Sequence, residues 1–232
     1  MTTSNTITTR FYHGLIVSCH IDMEQHASMR DMLAYYVDIA DRGGAAGLRI
    51  EGVEHVRRMR ARTQLPIIGF TMGNYEDGSP LITPGLADVQ ALFDAGADVV
   101  AIDGTKRKRP DGTDGFQFFE QIRRRVSKTL WVDVATFREG ICAAESGADL
   151  IATTLAGYTP GTAVDDYRRP EFKLIHELAD ALTIPVIAEG RIWTPESAAK
   201  AIELGAHAVV VGSAITRPLV ITEMFVNALS RD

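Results

Sequence analysis

A chain of 232 residues with 46% hydrophobic and 23% charged side chains has the composition of a globular protein large enough to bury its own core without disulfides or a structural metal. Its formal net charge of −6 argues against nucleic acid or a membrane surface as the principal partner, and no apolar run reaches the roughly 18 residues of a membrane-spanning helix. Cys19 and Cys142, the two cysteines, each sit beside apolar residues and read as reduced core positions of a cytoplasmic protein.

The opening MTTSNTITTR is polar and has no apolar stretch of the secretory kind. Residues 1–13 read as a flexible tail before a barrel over 14–232. The first strand candidate is LIVSC (15–19), followed by AGLRI (46–50), PIIGF (66–70) and DVVAID (98–103). LWVDV (130–134), DLIAT (149–153), PVIAE (185–189) and AVVVG (208–212) complete the series. Amphipathic windows such as GLADVQALFDAG and TFREGICAAESG lie between them, and the basic runs RRMRAR (57–62) and RRR (123–125) read as solvated helix faces.

Continuously apolar, β-branched strands indicate a parallel sheet covered on both faces. Eight such βα units predict an α/β fold, a single-domain (β/α)8 TIM barrel. An open doubly wound sheet is the alternative, weakened because no GxGxxG follows the first strand. Gly-Ala precedes every second strand, at Gly44, Gly96, Gly147 and Gly205, at intervals of 52, 51 and 58 residues. Each interval holds two βα units, as a quarter-barrel repeat with a helix-ending glycine requires.

Active sites of such barrels lie at the C-terminal ends of the strands. Standing there are His20 after the first strand, Arg49 and Glu51 on the second, and Asp103, Lys106, Arg107 and Arg109 after the fourth. Asp133 is on the fifth, Glu189 and Arg191 end the seventh, and Gly212, Ser213 and Arg217 follow the eighth. Charges inside apolar runs are costly unless paired or functional. Each has a structural explanation alone, such as an Arg49–Glu51 pair or an Asp133 that holds a loop. Together, at one end of several strands, they read as an active-site rim.

The loops EGRIWTPESA and GSAITRP are glycine-containing turns that lead into helices. Backbone N–H groups at Gly190, Gly212 and Ser213, with Arg191 and Arg217, suit a phosphate. The six histidines show no HxH or HExxH spacing, so neither a metal nor another cofactor is expected. Proton transfer on a phosphorylated small molecule is the chemistry this rim suggests.

GLIVSC, RIEG, DGTxRxRP, TTLAGYT, VIAEGR and VGSAITRP, in this order, resemble the N-acylmannosamine-6-phosphate 2-epimerase family from about Gly14 to Leu229. The resemblance implies a barrel enzyme that interconverts N-acetylmannosamine 6-phosphate and N-acetylglucosamine 6-phosphate. A base removes the proton on C2 and the proton returns on the opposite face. It implies Glu189 as the catalytic glutamate, Asp133 as the aspartate of the fifth strand, and Arg49 and Arg217 as substrate-binding arginines. Gly212 and Ser213 match the phosphate loop, beside Gly190 and Arg191, and Asp103 and Lys106 are further substrate-binding candidates. A sugar phosphate is the expected partner, with no nucleic acid and no membrane; a homodimer is an admissible assembly.

Three stretches depart from the family pattern. Members typically carry IIGIIKRDY after the third strand, and its lysine is the acid/base partner of the glutamate. Here the stretch is IIGFTMGNY, with Met72 at the lysine position and Gly73 at the arginine position, and no Lys, Arg or His occurs from Pro66 to Thr105. A methionine cannot carry a proton. His20 stands where the family usually has glutamine, and DVAT (133–136) where it has DCST. His20 is therefore the expected replacement base, since imidazole titrates near neutral pH, and Lys106 is the second candidate. His20 as a neutral hydrogen-bonding substitute, a sugar-phosphate-binding or regulatory homologue without turnover, and an isomerase acting on a different sugar phosphate are the alternatives.

Overall fold

The computed structural model describes residues 3–19, 30–164 and 168–229. Among them, ten strands follow one another in the chain: β1 (Leu15–Cys19), β2 (Gly47–Glu51), β3 (Ile67–Phe70), β4 (Met72–Asn74), β5 (Pro80–Ile82), β6 (Val99–Asp103), β7 (Leu130–Asp133), β8 (Leu150–Ala152), β9 (Val186–Glu189) and β10 (Ala208–Val211). All but β4 and β5 are parallel and close into a ring in the order β1-β10-β9-β8-β7-β6-β3-β2, with β2 paired back to β1. Helix α1 (Thr3–Phe11) precedes the ring. Then α2 (Arg30–Arg42), α3 (Val53–Arg60), α4 (Leu86–Asp94), α5 (Gly115–Arg123), α6 (Phe137–Glu145), α7 (Phe172–Ala181) and α8 (Pro195–Glu203) alternate with its strands, and α9 (Ser213–Thr216) and α10 (Pro218–Leu229) follow β10. The (β/α)8 barrel read from the alternation of apolar runs is the fold observed.

Strand residues alternate between the two faces of the sheet. Leu48, Ile50, Val100, Ile102 and Val132 face outward and join Val56, Met59, Leu92 and Phe119 of the helices in the largest core. Ile16, Ile68, Val99, Trp131, Leu150, Ile187 and Val210 have the opposite parity and fill the barrel interior. The repeated Gly-Ala pairs end helices in one geometry. Gly44, Gly96, Gly147 and Gly205 have φ of 83°, 101°, 89° and 97°. At each, the next residue's N–H reaches back five positions, as from Ala97 to the Leu92 carbonyl at 3.1 Å, which is the Schellman arrangement that requires a left-handed residue.

Two findings revise the sequence reading. Residues 3–11, expected within a flexible tail, are helical. Phe11 is fully buried and belongs to the interior core with Ile16 and Ala208. A single aromatic side chain plugs the N-terminal mouth of the barrel, and polar composition hides that. The stretch after β3 is also more than a loop: β4 and β5 form an antiparallel hairpin in the register Met72↔Ile82, Gly73↔Leu81 and Asn74↔Pro80. Its base is tied to β6 by Thr83, whose hydroxyl donates to the Ala101 carbonyl at 2.6 Å. Arg109 adds bonds to the Thr83 and Pro84 carbonyls at 3.1 and 2.6 Å.

Truncating the plug tests its role. Phe11→Ala is expected to destabilise the fold by about 3–5 kcal/mol, the cost of emptying a buried aromatic site, measured by urea denaturation. An unchanged midpoint would restore the tail.

Candidate active site

At the C-terminal end of the ring a pocket of about 400 Å³ opens between the last loops and the β4–β5 hairpin. Its floor is a buried ion cluster. Arg49 on β2 donates from Nη1 to Asp133 Oδ1 at 3.0 Å and from Nη2 to Asp133 Oδ2 at 2.8 Å. Nη1 also donates to Glu189 Oε2 at 2.9 Å. The Asp133 carboxylate is fully buried and accepts two more bonds, from Trp131 Nε1 at 2.8 Å and from the Thr154 hydroxyl. The Arg49 guanidinium lies over the Phe70 ring at 4.8 Å. Each acidic residue ends its strand at the inward parity, so β2, β7 and β9 bring the three charges together across the barrel.

One cation faces two carboxylates, and the consequences divide between them. Burial lowers the Arg49 pKa, but Asp133 and Glu189 outweigh it and the net direction is upward, so the guanidinium stays charged. Burial is the main cause of a rise at Glu189. Arg49 pulls against it and Asp133 adds to it, leaving the Glu189 carboxyl at about 7. A carboxyl that titrates near neutrality can both take and give a proton. Its two oxygens differ: Oε2 accepts from Arg49 and lies 3.1 Å from the Thr154 hydroxyl. Oε1 has no hydrogen-bond partner among the described residues and is the oxygen left for a ligand.

Eight of the residues expected at the rim line this pocket: Arg49, Arg107, Glu189, Gly190, Arg191, Gly212, Ser213 and Arg217. Asp133 lies beneath them as the anchor of Arg49. Asp103 is fully buried and lies outside the lining; it holds Arg107 at 2.8 Å and Thr105 at 2.7 Å. Lys106 is exposed and its side chain does not reach the pocket. Its neighbour Arg107 does. In an irregular loop, adjacent side chains point apart with no period to say which faces inward. His20 lies outside the described residues.

Arg191 plays a different part from the phosphate ligand expected of it. It adopts φ 58°, a region uncommon for a residue with a Cβ. Its Nε donates to the Arg169 carbonyl at 2.6 Å and its Nη1 to the Ala156 carbonyl at 2.5 Å. The side chain thus clamps the loop after β8, and a Cβ at Gly157 would lie 1.9 Å from Nη1. Sequence reading also passed over Thr154, although it belongs to the TTLAGYT motif, and over Ser18, which lines the pocket two residues before His20.

The Glu189 carboxyl leaves a signature in stability. Its pKa is higher folded than unfolded, so its contribution is complete below about pH 4.5 and is lost as pH rises through about 7. Melting temperature is expected to decline over that interval, and Glu189→Gln is expected to remove this part of the decline. Equal slopes in the two proteins would mean that Glu189 titrates as an ordinary carboxylate.

Residues 33–231 match the model of a protein family described as "Putative N-acetylmannosamine-6-phosphate epimerase". A protein of Caldanaerobacter subterraneus subsp. tengcongensis, named "Putative N-acetylmannosamine-6-phosphate 2-epimerase", is 43% identical over 216 residues, which are 93% of this chain and 90% of that protein. One of the same name from Clostridium perfringens is 39% identical over 93% of this chain and 96% of its own. The solved structure of the N-acetylmannosamine-6-phosphate 2-epimerase from Clostridium perfringens superimposes with a TM-score of 0.86 at 38% identity, covering 96% of each chain.

Proposed function

The chain belongs to the N-acetylmannosamine-6-phosphate 2-epimerase family, and from that premise we propose that it interconverts N-acetylmannosamine 6-phosphate and N-acetylglucosamine 6-phosphate at C2. The observation that carries this reading is Glu189, which lines the pocket and whose carboxyl burial raises to about 7. The C2 proton of the open-chain sugar lies next to the C1 carbonyl. Glu189 takes it, the C–H electron pair moves toward C1, and negative charge gathers on the C1 oxygen. Arg49 fixes the carboxylate through Oε2 and, with three of its five N–H donors on Asp133 and Glu189, keeps donors for the substrate. The phosphate is assigned to Arg217 and to the backbone N–H groups of Gly190, Gly212 and Ser213, which line the same pocket.

Met72 occupies the position of the family's catalytic lysine and lines the pocket. A thioether carries no proton, so the second face of C2 is assigned to His20, the residue that follows β1. A chain that binds the sugar phosphate without turning it over is the reading that Met72 itself favours, and kinetics separate the two. Wild type is expected to form N-acetylglucosamine 6-phosphate in a coupled assay. Glu189→Gln and His20→Gln are each expected to lower kcat by about 10²–10⁴-fold, the range of general acid–base catalysis. Full activity in His20→Gln would remove His20 from the reaction, and binding without product in wild type would establish the second reading.

A cytoplasmic homodimer that needs no cofactor is part of the same proposal. Among the described residues no helix is long and apolar enough to cross a membrane. Helix α10 has no buried residue and leaves Leu219, Phe225, Val226 and Leu229 exposed at 58, 68, 54 and 86%. A second copy of the chain would cover this apolar surface. Phe225→Glu is expected to shift wild-type dimers to monomers in sedimentation velocity; a wild type that sediments as a monomer would remove the dimer.

A further inference from the structure

The pocket has two unlike walls. In the eight-strand ring β3 lies four strands from β9, so the hairpin that continues β3 stands across the mouth from Glu189. That wall is apolar, formed by Phe70, Met72, Pro80 and Ile82. The cation beside it is Arg107, from the loop that follows β6, the strand paired with β3. Its side chain is only 13% exposed and is fixed on several sides. Nη2 donates to Asp103 Oδ2 at 2.8 Å, Nε to the Thr105 hydroxyl at 3.1 Å and Nη1 to the Ser79 hydroxyl at 3.2 Å. The guanidinium carbon sits 4.1 Å from the centre of the Tyr75 ring.

A guanidinium has five N–H donors. Three of them are engaged by these partners, and two have no partner among the described residues. A rigid, desolvated cation with donors to spare, on the rim of a pocket, is arranged to meet an oxygen that carries charge. Asp103 neutralises Arg107 only in part, because its carboxylate also accepts from the Thr105 hydroxyl and N–H.

We infer that Arg107 is a further catalytic residue of this site: its two remaining donors hold the C1 oxygen of the substrate as it takes on negative charge, on the wall where Met72 supplies none. This rests on C2 proton transfer as proposed above. The step is balanced: the proton leaves C2 for Glu189, the electron pair moves through C2–C1 to the C1 oxygen, and Arg107 accepts no proton and forms no bond. A lysine at position 72 would combine a cation and a proton carrier in one side chain. Here Arg107 carries only the cationic half, and the proton work stays with other groups.

The test uses calorimetry with two ligands, N-acetylmannosamine 6-phosphate and the same sugar phosphate oxidised at C1 to the carboxylate, which places a negative oxygen where the intermediate has one. Arg107→Gln is expected to weaken the carboxylate by at least about tenfold, the worth of one charge-assisted hydrogen bond. The parent sugar phosphate should stay within about threefold, which also shows that the variant is folded. Adding Met72→Lys to Arg107→Gln is expected to recover carboxylate affinity, because it returns a cation to the same wall. Equal losses for both ligands, or a carboxylate affinity within about threefold of wild type in Arg107→Gln, would make Arg107 a brace for the hairpin and overturn the inference. If wild type forms no epimer while Arg107→Gln still loses the carboxylate selectively, the epimerase reading and the catalytic role fail together, and Arg107 is left as a ligand of a charged C1 oxygen. If wild type binds neither ligand, both fall.

Discussion

A guanidinium buried in the mouth of a β-barrel is the constraint around which this molecule is organised. Arg49 is 2% exposed, and a charge so placed is tolerable only with a partner and a full set of hydrogen bonds. Asp133 provides the bidentate partner, and Trp131 and Thr154 each donate a further hydrogen bond to its Oδ1. Arg49 and Asp133 thus form a closed pair, and Glu189 is the acid in excess. Its oxygen takes the second N–H of Nη1, the nitrogen that also serves Asp133, so its charge is only partly compensated, and burial holds its proton to about 7. The same three-strand contact that stabilises the barrel mouth creates a group able to exchange protons at neutral pH.

Around that floor the chain sets a polar arc against an apolar one. Loops after β8, β9 and β10 contribute backbone donors, Thr154 and Arg217, while the β4–β5 hairpin contributes Met72, Pro80 and Ile82. Both arcs are braced by arginines whose guanidinium groups bond to backbone carbonyls. Arg109 pins the base of the hairpin through Thr83 and Pro84, and Arg191 pins the β8 loop through Ala156. Arg191 and Thr83 are non-glycine residues at positive φ, and such conformations persist where the surroundings over-determine them. The site is therefore held in shape by its second layer.

Much of the fold was legible because periodicity is a strong signal in parallel barrels. The eight apolar runs fall on the eight barrel strands, and the Gly-Ala spacing marks helix ends where a left-handed residue is required. The inward charges were legible for the same reason: a charged residue at the end of an apolar strand stands out, as Arg49, Asp133 and Glu189 do. What periodicity cannot give is side-chain direction in irregular segments. Lys106 and Arg107 are adjacent and alike in charge, yet only the second enters the pocket. Arg191 follows a glycine turn suited to an anion, but its guanidinium turns back to two carbonyls. Phe11 was missed because one aromatic residue in a polar stretch has no pattern, although it fills the barrel end.

The central claim is that Glu189 moves the C2 proton in a pocket whose opposite wall is apolar and carries Met72. Incubating wild-type protein with N-acetylmannosamine 6-phosphate in deuterated water and following the C2 proton by NMR addresses it directly. Proton transfer predicts that the C2 signal disappears at a rate proportional to protein concentration, with deuterium appearing in both epimers. A sugar phosphate that binds, as its line widths would report, yet keeps its C2 proton indefinitely would contradict it.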